Sequence, residues 1–213
     1  ESGWGEWYTE GCAGPWEIGA PTSGPNGAHG GTAVVATKLG GNYPEWDHGS
    51  GAGPEYASRL VGPAFLVPAA EQNPRLRFWH WYEFSSGPDY GEIQVQVGTN
   101  PWQTLAHYQG HSGGVWSRPS FDLTAYAGQS VRVGFLFRAA DGSFSFGNTA
   151  AGWYVDEVTV VTGAMEVLVA NQMEGFEAGL GDWQVESGTW EVGSPGSGPA
   201  EVGGSRAHEG TSS

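Results

Sequence analysis

Five aromatic residues, Trp46, Trp79, Trp81, Tyr90 and Trp102, stand among acids, amides and glycines. Rings of this kind stack on the apolar faces of sugars while neighbouring Asp, Asn and Gln bond the hydroxyls, and Trp79 and Trp81 fall on one face of a strand. The same rings serve equally well as core or as an interface between subunits, since Trp is usually largely buried. An exposed coplanar row of Trp46, Trp79, Trp81 and Trp102 would favour a sugar platform; burial of those rings between subunits would favour a fibre. The six histidines, His29, His48, His80, His107, His111 and His208, are too loosely spaced for a zinc centre, and no HExxH run occurs. His29 and His208 are instead expected to pin glycine-rich turns. Glu83 and Asp89 carry the carboxylates that glycoside chemistry would need. No nucleophile elbow or phosphate loop accompanies them, so no enzyme is expected. Cys12 is the single cysteine and has no CxxC companion, which excludes an intrachain disulfide. It is either a cross-link candidate outside the cell or a small buried residue.

Short strands must position these groups. Thr32–Leu39, Arg75–Glu83, Glu92–Val97, Ser130–Arg138 and Gly152–Val161 alternate apolar and polar residues, with Ile93, Val95 and Val97 opposed to Glu92, Gln94 and Gln96. Turn signals separate them, among them Gly40-Gly41-Asn42, Gly98-Thr99-Asn100-Pro101 and Asp141-Gly142. The best helical candidate, Ala164–Gln172, alternates as well as it spirals. The pattern predicts an all-β chain, an antiparallel β-sandwich of jelly-roll type. Gly and Pro number 37 and 13 in 213 residues, but 11 Trp, 8 Tyr and 9 Phe supply more surface to bury than a disordered chain carries. With 8 Lys and Arg against 23 Asp and Glu the net charge is −15, which repels phosphate backbones and excludes nucleic acid as a partner. No run approaches the roughly 20 apolar residues that span a bilayer, so no membrane insertion is expected.

The sequence repeats itself. Glu1-Ser-Gly-Trp-Gly-Glu-Trp7 matches Glu177-Ala-Gly-Leu-Gly-Asp-Trp183, Trp16 to Pro25 matches Trp190 to Pro199, and Ala28-His29-Gly-Gly-Thr32 matches Ala207-His208-Glu-Gly-Thr211. So long a period makes each copy a domain rather than a solenoid unit. Residues 1–163 read as a complete module, 164–176 as a linker or connecting strand, and 177–213 as the first third of a second copy. That third either belongs to a tandem array, folds back on this module, or completes a neighbouring subunit by strand donation.

The run Trp16-Glu17-Ile18-Gly19-x-Pro21-x-Ser23-Gly24-Pro25, then Ala28-His29-x-Gly31, Ala36-Thr37-x-Leu39-x-Gly41-Asn42-Tyr43-Pro44, and Gly152-Trp-Tyr-Val-Asp156-Glu-Val, resembles bacterial secreted domains related to the MAM domain. The resemblance covers about residues 1–162 and again 176–213. It implies a non-catalytic jelly roll attached to secreted peptidases, adhesins or surface proteins. It also implies a calcium site gathering Glu1, the turn from His29 to Gly31, and Asp156, with Glu177 echoing Glu1; calcium takes six to eight hard oxygen ligands. The alternative for Asp156 is that it caps hydrogen bonds at a sheet edge. The expected function is an extracellular structural module, a repeated unit of a surface fibre, filament or adhesin stalk, joined to copies of itself or adjacent repeats and stabilised by calcium. The alternative is a carbohydrate-binding accessory module of a secreted enzyme, with polysaccharide as its partner.

Overall fold

A computed structural model describes residues 4–11, 16–43, 56–85, 89–139, 149–164, 170–185, 190 and 192. The strands are β1 (Tyr8–Gly11), β2 (Glu17–Gly19), β3 (Val34–Ala36), β4 (Tyr56–Val61), β5 (Phe65–Leu66), β6 (Arg75–Glu83), β7 (Tyr90–Val97), β8 (Gln103–Tyr108), β9 (Ser120–Asp122), β10 (Ser130–Ala139) and β11 (Gly152–Val161). Sheet A runs β1-β4-β10-β7-β8, with β5 also on β10, and sheet B runs β2-β3-β11-β6-β9. All pairings within them are antiparallel. Outside the sequential pairs β2–β3 and β7–β8 the chain mostly crosses from one sheet to the other between strands. The protein is an antiparallel β-sandwich of jelly-roll type.

The alternation explains the two layers. Val131, Val133, Phe135 and Phe137 of β10, Ile93 and Val95 of β7, Leu76 and Phe78 of β6, and Trp153 and Val155 of β11 all enter one core. Trp153 is its largest ring and is fully buried. It fits because β7 carries no side chain opposite it: a Cβ on Gly91 would lie 2.7 Å from the indole. His80, also inward, is buried beside Phe78 and Tyr108, and the Trp153 Nε1–H donates to its Nδ1 at 3.3 Å. Burial pushes the His80 imidazole down to about 3, so it stays neutral at physiological pH.

The strands read as Arg75–Glu83 and Gly152–Val161 form with those limits. The predicted strand Thr32–Leu39 contracts to Val34–Ala36, because the Leu39 carbonyl turns aside to accept the Thr22 and Ser23 N–H groups. Most of the ambiguous stretch Ala164–Gln172 lies outside the described residues. No helix among the described residues is long and apolar enough to cross a membrane.

Candidate functional site

The outer face of sheet A gathers aromatic and polar groups already tied to one another. Alternation along β7 turns Tyr90, Glu92 and Gln94 outward, while β4 contributes Arg59 and β10 contributes Arg138. The Glu92 carboxylate accepts from Gln94 Nε2 at 2.7 Å and Thr104 Oγ1 at 2.9 Å, and lies 3.4 Å from His107 Nδ1. Arg59 donates to Gln94 Oε1 at 2.8 Å and to Glu10 at 3.0 Å. Its guanidinium also lies 4.6 Å over the Trp102 ring. Trp102 approaches the sheet because position 134 is glycine: a Cβ there would meet the indole at 2.8 Å. Arg138 Nη1 donates to the Tyr90 hydroxyl at 2.6 Å, and the Tyr90 and His107 rings lie 4.5 Å apart. Burial first, and then the Glu92 charge, raises the Tyr90 hydroxyl above its ordinary range, keeping it a neutral donor. Tyr90 and Trp102 remain half-exposed. Chemically, this face offers a ring surface flanked by fixed donors and acceptors.

The outer face of sheet B is built differently. Trp79 lies between His29, stacked at 3.7 Å, and Arg118, 5.6 Å away on a cation–π contact. Trp81 is only 6% exposed and packs edge-on against Tyr154 in a small second cluster with Val34 and Ala36. A bulge in β11 between Asp156 and Thr159 puts Glu157 at φ 49°, so two successive carboxylates address the His29 turn. His29 Nδ1 is 2.6 Å from Glu157, and Asp156 accepts the N–H of Gly30 at 3.0 Å and of Glu157 at 2.8 Å. Burial raises the Asp156 carboxyl and those backbone donors oppose the rise. Further along this face Arg75 Nη2 donates to Asp182 Oδ1 at 3.0 Å, and Arg77 pairs with the same oxygen.

The structure sets the turn of residues 29–31 against Asp156, which accepts the Gly30 N–H, and His29 pins that turn through Glu157. Glu1 lies outside the described residues, and Glu177 is exposed in the segment that follows the sandwich. The Asp156 carboxylate accepts one backbone N–H on each oxygen, from Gly30 and from Glu157, and so caps this turn. Among the described residues no group of three or more His, Cys, Asp or Glu is placed to hold a metal ion. These groups alone do not make a calcium shell.

The described members of the aromatic set do not share one face. Trp79 and Trp81 lie on sheet B, one sandwiched and one buried, whereas Tyr90 and Trp102 lie on sheet A; Trp46 and Cys12 fall outside the described residues. The reason is the jelly-roll crossing, which sends the adjacent strands β6 and β7 to opposite sheets. Asp89 is buried and accepts the Tyr43 hydroxyl at 2.5 Å. Arg59 and Gly134 were not singled out from sequence, and His107 only among the histidines weighed for zinc, although the outward set Glu92, Gln94 and Gln96 already marked this face of β7.

No family model matches the chain. It is 31% identical over 157 residues, 73% of its length, to Bacillopeptidase F of Bacillus subtilis (strain 168), and spans 10% of that relative's length. Among solved structures, TmCBM61 in complex with β-1,4-galactotriose is similar at a TM-score of 0.48 and 13% identity, over 75% of this chain and 90% of that one. The K1 cleaved adhesin domain of Lys-gingipain from Porphyromonas gingivalis W83 is similar at a TM-score of 0.42 and 18% identity, over 74% of this chain and 91% of that one.

Proposed function

We propose that this chain is a non-catalytic carbohydrate-binding accessory module of a larger secreted protein, with the outer face of sheet A as its binding surface. The observation that carries this reading is the wiring of Glu10, Arg59, Gln94, Glu92, Thr104 and His107 around the half-exposed Trp102 and Tyr90. A sugar presents an apolar C–H face edged by hydroxyls. Rings held against glycine and guanidinium, with polar groups fixed beforehand, match that chemistry at little ordering cost. A relative named as a peptidase and about ten times longer than the matched region supports the accessory role. Titration calorimetry of the full chain against neutral β-1,4-linked and uronate-containing oligosaccharides tests it. Trp102→Ala and Tyr90→Ala should each weaken the binding about tenfold or more with the fold retained. No binding to any of the panel at millimolar concentration sinks the reading.

A second reading is a repeated structural module of a surface fibre or stalk, joined to copies of itself and stiffened by calcium. It is favoured by the packing of the repeat-matching residues around Asp182 on this module. Its calcium element rests on Glu1 and Glu177 joining Asp156. Addition of calcium should then raise the melting temperature and EDTA reverse it; identical melting curves with calcium and with EDTA remove calcium from the reading.

A further inference from the structure

The described arginines divide into two triads. Arg59, Arg132 and Arg138 lie on the outer face of sheet A, and Arg75, Arg77 and Arg118 gather on the outer side of sheet B. In a chain of net charge −15 the second triad is an unusual concentration of cations. Arg118 is held below its ordinary value by burial and by the neighbouring Arg77 charge, so these groups repel one another unless an acid joins them.

The acid comes from beyond the sandwich. Asp182 contacts both Arg75 and Arg77, and its carboxylate is 12% exposed. Arg77 Nη1 donates to the Gly181 carbonyl at 3.0 Å, and Arg118 Nη2 donates to Gly181 at 2.9 Å and to Trp183 at 2.9 Å. The Arg118 N–H then donates to the Val185 carbonyl at 2.8 Å, and Val185 is 3% exposed. One ion cluster, three carbonyl caps and a backbone bridge therefore seat residues 181–185 on this module. Arg75 Nε and Arg118 Nε are buried with no hydrogen-bond partner among the described residues.

Gly181-Asp182-Trp183 occupies the place in the second copy that Gly5-Glu6-Trp7 holds in the first. There Trp7 packs toward its own core, against Gly62 and 6.2 Å from Phe135, while Glu6 is exposed. In the first copy, then, the Trp turns inward and the acid beside it outward. From this we infer that Arg75, Arg77 and Arg118 form a receptor for the opening Gly-acid-Trp segment of a following copy of this module. Asp182 is its plug, and successive modules meet at a fixed joint rather than a free hinge. The inference rests on the repeat of the second reading above and is independent of sugar binding.

Hydrogen exchange on the full chain tests it. In the native chain the Arg118 amide should be protected. Asp182→Asn should lower that protection roughly tenfold or more, the effect of losing charge-assisted bonds, while the amides of Phe78 and His80 in β6 keep theirs. Asp182→Glu, which installs the acid of the first copy, should retain most of the protection. An unprotected Arg118 amide in the native chain, or protection indifferent to Asp182→Asn, overturns the joint. Loss in both variants shows a contact peculiar to this Asp; it overturns recognition of a repeated segment and leaves the packing itself in place.

Discussion

The two outer faces of this sandwich use similar residues to opposite ends. On sheet B, Trp81 is buried edge-on against Tyr154, the half-exposed Trp79 is stacked by His29 with Arg118 beside it, and Arg75 and Arg77 are joined by Asp182. On sheet A, Trp102 and Tyr90 stay half-exposed while arginine and glutamate hold them from the side. What differs is what the chain lays over each sheet. The long connection from β2 to β3 and the residues after β11 cover sheet B, and nothing comparable among the described residues covers the ring surface of sheet A. Aromatic content alone therefore separates neither face as a binding site. The separation comes from what the polar groups near the rings are tied to: on sheet B to the turn at His29 and to residues 181–185, on sheet A to one another across the sheet.

Paired truncations are the strongest way to break that comparison. Trp81→Ala removes a buried ring from the small cluster on sheet B and should cost about 3–5 kcal/mol of stability. Trp102→Ala removes a half-exposed ring and should cost far less, about 1 kcal/mol, while weakening sugar binding about tenfold or more. Chemical denaturation of both variants, with the denaturant slope unchanged, measures the contrast. Equal losses would mean that Trp102 is a structural ring and that the two faces do not differ in kind.

Much of this fold was legible beforehand, and the reasons are local. The apolar residues of Arg75–Glu83 and Gly152–Val161 mark both strands because each turns alternate side chains into the core, while Trp81 and Tyr154 are buried on the outer face as well. The same alternation predicted that Leu76 and Phe78 oppose Arg75, Arg77 and Trp79. Which sheet a strand joins is not a local property: Trp79 and Tyr90 are near in sequence, yet the crossing from β6 to β7 parts them. Arg59 escaped notice for a related reason. Its strand, Tyr56–Val61, shows no strong alternation, and its partners Glu10 and Gln94 arrive from distant strands. The Asp182 contact was half visible, since the repeat singled out the segment while only the folded chain brings three arginines to it.

A smaller effect sharpens the comparison from between the faces. His80 lies inside the sandwich, touching neither outer surface, and burial lowers it to about 3 from an unfolded value near 6.5. The folded state therefore binds fewer protons than the unfolded chain between those values. Its stability contribution is fully present above pH 6.5, falls as pH drops, and levels off below about 3. Between pH 7 and pH 5 the loss should be about 2 kcal/mol. Because His80 accepts the Trp153 indole N–H and packs on Phe78, its protonation loosens the core that both sheets share. Sugar binding on sheet A and amide protection at Arg118 on sheet B should then decline only as the whole sandwich unfolds. His80→Phe should flatten the pH profile at the expense of leaving the Trp153 N–H unpaired. Should one face fail first at mild acidity while the other holds, the common core around His80 is not what sets the pH dependence of that face.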